Sequence, residues 1–305
     1  INGLVDLPNP LPKEFNVKIT GIQMDSRLLT KGDIFLACFG RNHDARDYID
    51  KALKLGCVAV LVESGSGWEG FRVDRGVAII AVNNLFAKIS EIAARFYSRP
   101  SMRLNVFGIT GTNGKTSCSQ FIAQSLTGLG HKCGVIGTLG YGVCGELNES
   151  QLTTPDAVFT QKALAEMAVD RIGPVAMEVS SVGLHQKRVE AVRFDTAIFT
   201  NLTRDHLDYH GSMEAYAENK KKLFTREDLR CAIINLDDPY GLSILNNIEK
   251  EVDVVTYSIR NPKANVYAEN LSLNRKGLEA DIVTPAGTGH VCGRLIGYFN
   301  FSNLL

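Results

Sequence analysis

The chain has 305 residues, 45% of them hydrophobic, which is enough to bury a sizeable core and suits two domains better than one. Lysine plus arginine and aspartate plus glutamate each total 33, so no charge excess attracts nucleic acid or an anionic membrane surface, and any anion binding is local. No run approaches the ~20 apolar residues of a membrane span, and no secretory signal opens the sequence.

The seven cysteines, at 38, 57, 118, 133, 144, 231 and 292, show no paired or zinc-like spacing, so reduced, mostly buried thiols and a cytoplasmic location are expected. The first residue is Ile1 rather than methionine, and an upstream segment is expected. From Lys18 to Ser98 short strands and helices alternate. KITGI and GDIFLACFG read as strands, RDYIDKALKLG as a helix, CVAVLVES and GVAIIAV as strands, and LFAKISEIAARFYS as a helix, together a small α/β domain. Between the first two strands, Met24, Asp25, Ser26 and Arg27 gather polar side chains where a ligand's phosphates or hydroxyls would fit, although a plain turn has the same composition. Ser98 to Pro100 breaks the second helix and marks the domain boundary.

The second domain opens on VFGITGTNGKTS, Val106 to Ser117. An apolar run reads as a strand, Gly108, Gly111 and Gly114 as a loop, and Lys115 and Thr116 stand where helical periodicity begins. Such a loop lets backbone N–H groups close around phosphate, the helix N-terminus adds positive potential, a lysine reaches the terminal phosphates and a threonine hydroxyl ligates magnesium. Ile109 stands where the common pattern has glycine, with Gly108 one residue earlier. A glycine turn followed by a surface lysine is the plainer reading. In the helix, Cys118, Phe121, Ile122, Ser125, Leu126 and Leu129 recur at helical spacing, which predicts one buried stripe stopping at Gly128 and Gly130.

The apolar runs LNVFGIT, CGVIGT, PVAMEVSS, FDTAIFTN, CAIINLD and VDVVTYS alternate with helical segments, predicting a parallel sheet flanked by helices; from about Ala264 the period becomes hairpin-like. Parallel sheets bind ligands at the carboxyl ends of their strands. There the sequence places Glu178, Ser180 and Ser181, then Thr200, Asn201, Arg204, Asp205, His206, Asp208 and His210, then Asn235, Asp237 and Asp238. Glu178 suits a carboxylate near magnesium, which takes hard oxygen ligands such as Thr116 and phosphate, and a helix-capping glutamate would look the same. His206 or His210 suits a metal or a phosphate, or a simple cap. In GSMEAYAENKKKLF, Ser212 reads as an N-cap, and Met213, Tyr216, Lys220 and Leu223 share one face. Lys220 therefore turns inward, whereas Lys221 and Lys222 read as solvated. A lysine facing inward beside phosphate is unfavourable unless paired or modified.

The set GTNGKT, TTPD at Thr153 to Asp156, MEVSS at Met177 to Ser181, NLTRDHLDYHG at Asn201 to Gly211 and the terminal FNFSN resembles the Mur ligases. Within them it is similar to the branch that adds the third residue of the peptidoglycan stem peptide. The resemblance covers nearly the whole chain. It implies an α/β protein with a small UDP-sugar-peptide-binding domain at 1–99 and a P-loop-type ATP-binding domain at 100–305. The resemblance also implies a C-terminal amino-acid-binding domain, expected to be absent from this chain. Also implied is a cytoplasmic, monomeric ligase of cell-wall synthesis that uses ATP and magnesium. Its partners are a UDP-sugar-peptide and an amino acid, with no nucleic acid and no membrane.

By this likeness Gly111, Thr112, Asn113, Gly114, Lys115 and Thr116 hold the ATP phosphates, and Asn300 and Asn303 lie near the adenine. Ser26 meets the uridine diphosphate, and Thr153, Thr154, Ser181, Gln186 and Arg188 meet the sugar-peptide. Thr116, Glu178, His206 and a carbamylated Lys220 ligate magnesium, with Lys115, Lys220 and His206 as catalytic residues. Val182 departs from the family, which often carries histidine there; this chain has His185 instead. In the implied reaction the D-glutamyl side-chain carboxylate of UDP-N-acetylmuramoyl-L-alanyl-D-glutamate takes the γ-phosphate of ATP, and an amine displaces phosphate to form an amide. The chain as given is expected to bind the UDP precursor without completing the amide. A sibling ligase, such as one of folylpolyglutamate synthase type, and a non-catalytic nucleotide-binding relative are the other readings, and the added amino acid is left open.

Overall fold

The computed structural model describes residues 3–5, 12–40 and 44–305. It divides into two compact units, residues 1–99 with 157–162, and residues 100–156 with 163–305.

The first unit carries β1 (Gly21–Gln23), β2 (Asp33–Ala37), α1 (Ile49–Lys54), β3 (Ala59–Glu63), β4 (Phe71–Asp74), β5 (Val77–Val82) and α2 (Leu85–Phe96). Its sheet runs β1-β2-β3-β5-β4, parallel except for β4 at one edge. Strand pleating sends Ile34, Leu36, Leu61 and Ile80 into one core and Phe35, Ala37, Val60, Val62 and Ile79 into another. Both faces of the inner strands are covered, which is why they read as unbroken apolar runs. In the loop after β1, Asp25 accepts from the Arg27 guanidinium at 2.6 and 3.0 Å, which holds the carboxyl below its usual range, and Ser26 is buried.

The second unit begins with β6 (Asn105–Thr110), α3 (Lys115–Gly128), β7 (Gly134–Gly137), β8 (Gly140–Val143), β9 (Glu146–Asn148) and α4 (Ala157–Val169), whose first turn belongs to the other unit. It continues with β10 (Pro174–Glu178), α5 (Ser181–His185), β11 (Thr196–Phe199), α6 (Leu207–His210), α7 (Met213–Lys221), β12 (Cys231–Asn235), α8 (Pro239–Leu245) and β13 (Asp253–Ser258). Last come β14 (Val266–Asn274), β15 (Gly277–Thr284), β16 (Gly287–Gly293) and α9 (Tyr298–Leu304). The eleven strands run β16-β15-β14-β13-β12-β11-β6-β10-β7-β8-β9, parallel in the middle, with antiparallel pairs at both flanks. The chain leaves β6 toward β7 on one side, and later leaves β10 for β11 on the other. This reversal opens a crevice at the carboxyl end of β6, where a glycine-rich loop follows.

One expectation about α3 is corrected. Cys118 is buried, but Phe121, Ile122 and Leu126 are half-buried, Ser125 is exposed and Leu129 is 75% exposed. The buried face is Cys118, Ser119 and Ala123. These small side chains let the helix lie close on the sheet. The larger ones turn into an open groove of 330 Å³ that they share with Ile198, Tyr257 and Leu304.

Candidate active site

Gly108 lies within β6, and a Cβ there would press into the Phe194 ring and Leu223, so this glycine serves packing, while the neighbouring Ile109 fills the core. Gly114 is different. It caps α3 with φ of 88°, and the Asn303 side chain occupies the space that a Cβ would need, so conformation and room both demand glycine. Asn201 secures the loop between them. Its carbonyl accepts from the Thr112 amide at 2.8 Å, its Oδ1 from the Asn113 amide at 3.0 Å, and its Nδ2 donates to the Asn113 carbonyl at 3.1 Å. The Thr112 hydroxyl accepts from the Thr203 amide at 2.9 Å and lies 3.1 Å from the Tyr216 hydroxyl. Amide and hydroxyl of Thr112 are thus engaged within the protein. The first amides of α3 have no intrahelical acceptor and present the positive end of the helix.

Two lysines converge on this loop. Lys115 Nζ donates to the Gly111 and Thr112 carbonyls at 2.8 and 2.9 Å, and Lys220 Nζ donates to the same Gly111 oxygen at 2.8 Å. Lys220 is 2% exposed and its ammonium lies 4.5 Å from the centre of the Tyr216 ring. Burial lowers the Lys115 pKa, against the opposing pull of Glu178 and Asp205. Burial and then repulsion from Lys115 lower that of Lys220 well below the ordinary value, with Asp205 pulling it back. The buried residues of α7 are therefore Tyr216, Asn219 and Lys220, with Leu223 buried just past its end and Met213, expected on the same face, half-buried; the helix is entered through Ser212, whose hydroxyl accepts from the Ala215 amide at 3.1 Å. Lys222 is exposed. Lys221 differs from the expected solvated residue: it is half-buried and pairs with Glu218 at 3.6 Å.

Glu178 ends β10 with 1% exposure. Its Oε2 accepts from the Thr116 hydroxyl at 2.9 Å and the Thr138 hydroxyl at 3.1 Å, and its Oε1 accepts from the Thr138 amide at 2.8 Å. The carboxylate thus faces the helix that follows the glycine loop. Thr138 was not singled out from the sequence, although it directly follows β7, which pairs with β10, at the same carboxyl edge. The Thr116 hydroxyl and the Glu178 carboxylate form a hard-oxygen pair of the type magnesium takes. His206, in a left-handed conformation with φ of 50°, has a half-exposed ring 3.6 Å from the Asp205 carboxylate. Among the described residues no group of three His, Cys, Asp or Glu side chains is placed to hold a metal ion.

The residues expected at the sugar-peptide gather beside Glu178. The Thr153 hydroxyl lies 3.0 Å from that of Thr138. The buried Thr154 hydroxyl donates to the Glu178 carbonyl and accepts from the Ser180 amide, both at 2.9 Å. Arg188 donates to the Thr154 carbonyl at 2.7 Å and grips Gln186 Oε1 at 2.7 and 3.0 Å. Gln186 Nε2 in turn donates to the Tyr209 hydroxyl at 3.1 Å, and that hydroxyl is 2.9 Å from His185 Nδ1. His185 thus anchors one end of α5, whose other end, Ser181, meets His210 Nε2 at 2.9 Å. Ser26 lies in the first unit.

A pocket of 260 Å³ adjoins Asn113 and Gly114, walled by Asn235, Asp237, Phe299 and Asn303. Asn303 lines it. Asn300 does not, and its amide instead donates to the Ile296 carbonyl at 2.9 Å.

The family profile described as Mur ligase middle domain matches residues 109–305, and the one described as Mur ligase family, catalytic domain matches residues 18–99. The chain belongs to the Mur ligase family. A relative named UDP-N-acetylmuramoyl-L-alanyl-D-glutamate--2,6-diaminopimelate ligase, from Pseudomonas aeruginosa, is 47% identical over 292 residues, which is 96% of this chain and 59% of the relative. The ligase of the same name from Chromobacterium violaceum is 45% identical across 100% of this chain and 62% of its own length. A solved structure of that name superposes with a TM-score of 0.83 at 32% identity, covering 94% of this chain and 58% of the other. This Mur ligase chain therefore spans about three fifths of the relatives it matches.

Proposed function

We propose that the protein is the ATP-dependent ligase that joins the D-glutamyl side-chain carboxylate of UDP-N-acetylmuramoyl-L-alanyl-D-glutamate to an amine of 2,6-diaminopimelate. The observation that carries the reading is the meeting, at one carboxyl edge of the sheet, of Lys115 and Lys220 on the Gly111 carbonyl and of Thr116 and Thr138 on Glu178. The relatives' names supply the substrates, and a cytoplasmic site of action is part of the same proposal.

Transfer of a phosphoryl group to a carboxylate, followed by attack of an amine, asks the protein for positioning and for positive charge near crowded oxygens. Lys115 would exchange its two carbonyl acceptors for phosphate oxygens, moving its charge along the loop that already holds it. The amides at the start of α3 would take the remaining phosphate oxygens. Thr116 and Glu178 would hold magnesium, completed by His206 and a carbamylated Lys220, and when bound the ion would offset the charge on the transferring phosphate. Gln186, Arg188 and Thr154 would set the sugar-peptide beside Glu178, and Ser26 would hold the uridine diphosphate in the first unit.

The test is product formation by the full-length protein. ADP, phosphate and one amide product should appear only when ATP, the UDP precursor and diaminopimelate are all present. Turnover with folate and glutamate in place of the precursor, or ATP hydrolysis indifferent to it, would overturn the proposal.

A further inference from the structure

His210 ends α6 between two helices, and the polarity of its hydrogen bonds can be worked out from its neighbours. Asn219 is 8% exposed on α7. Its Oδ1 accepts from Lys222 Nζ at 2.7 Å and its Nδ2 donates to the Ala215 carbonyl at 2.8 Å, so the amide has one orientation, fixed twice. The nitrogen of that amide is what faces His210 Nδ1, at 3.4 Å. An N–H pointing at Nδ1 requires a lone pair there, so a neutral ring carries its proton on Nε2. Burial lowers the pKa of His210, as do the nearby His185, His206 and Lys220, with Asp208 opposing them, and this keeps the ring neutral. Nε2 therefore donates to Ser181 Oγ at 2.9 Å. Ser181 is 1% exposed, and its hydroxyl makes no other hydrogen bond among the described residues. With its oxygen accepting from His210, the hydroxyl proton is left as an unused donor.

We infer that His210, locked in one tautomer by Asn219 and Lys222, is a positioning residue that makes Ser181 a donor, so that the ligand group Ser181 meets is an acceptor oxygen, such as a carboxylate or carbonyl of the sugar-peptide. This rests on the proposed function for the identity of the ligand, but not for the tautomer. It gives Lys222 a part in the site as the group that orients Asn219.

Two measurements test it. In the full-length protein at neutral pH, nitrogen NMR of His210 should show Nδ1 bare and Nε2 protonated; the opposite tautomer overturns the inference whatever the enzyme does. In steady-state kinetics His210→Phe, which keeps the ring shape but loses both nitrogens, should raise KM for the UDP precursor by ~10-fold, the scale of one hydrogen bond to a charged group. KM for ATP should stay within about twofold, and Ser181→Ala added to His210→Phe should cost nothing further. A precursor KM unchanged in His210→Phe, or effects of the two substitutions that simply add, would remove the link between His210 and Ser181. If the wild-type protein ignores the UDP precursor, the functional reading fails while the tautomer stands or falls on the spectrum.

Discussion

At the proposed phosphate end of the nucleotide site, Lys220, Glu178 and Thr112 are buried and Lys115 is half-buried, each already hydrogen-bonded within the protein. At the proposed base end, Tyr298 and Phe299 stand 51% and 84% exposed and line an open pocket. On the proposed reading, binding at the first end would be an exchange: Lys115 would leave two carbonyls to reach phosphate, and the net gain would come from the stronger, charge-assisted partner. Binding at the second would be addition, since a flat ring would cover surface that water now touches. An exchange end of this kind would be preorganised for chemistry, so substitutions there should damage rate and affinity severely. The base end contributes contact area, and its losses should be graded.

The contrast is put to its hardest test at Lys220. Lys220→Ala in the full-length protein should reduce turnover on the order of 10³-fold, the scale of removing a preorganised electrostatic group. A small carboxylate added in solution should restore part of that loss if the working form of the side chain is a carbamate, and Lys221→Ala should neither lose activity comparably nor respond. Retained activity in Lys220→Ala would end the case for this lysine. Next in size is Lys115→Ala, which should weaken ATP binding ~10²-fold by calorimetry with an unchanged circular dichroism spectrum, because the side chain is directed at the loop and fills no core. Unaltered ATP affinity would show that the loop does not grip phosphate.

The elements of the exchange end were legible in the sequence because local signals agreed with one another. The strand, glycine loop and helix follow directly from composition, Glu178 marks the end of an apolar run, and the i, i+4 spacing of Tyr216 and Lys220 puts both on the buried face that α7 presents. The same periodic reasoning misjudged α3. Periodicity identifies a face but not what covers it, and the larger apolar residues of α3 line an open groove while Ser119 and Ala123 meet the sheet. Thr138 escaped notice because its importance comes from strand order: β7 lies beside β10 across a long stretch of sequence, and only that adjacency brings its hydroxyl to Glu178. Hydrogen-bond polarity was equally out of reach. The separation of Thr112, engaged within the protein, from Lys115, which can exchange partners, depends on Asn201 and Tyr216, distant in sequence.

The mildest expectation concerns Phe299. It lies in the first turn of α9, lines the pocket beside Gly114 and Asn303, and is largely open to solvent, so replacing it removes a surface against which a purine ring would lie and leaves no cavity behind. An aromatic pair of this kind is worth about 0.5–1.5 kcal/mol, so Phe299→Ala should weaken ATP binding by roughly 2–10-fold without lowering the melting temperature. On the proposal that the phosphates are held independently at the other end, inorganic tripolyphosphate, which has no base, should bind the variant and the parent equally. A loss of tripolyphosphate affinity in Phe299→Ala would mean that α9 supports the glycine loop itself, through the Asn303 side chain packed on Gly114, and that the two ends are one cooperative structure.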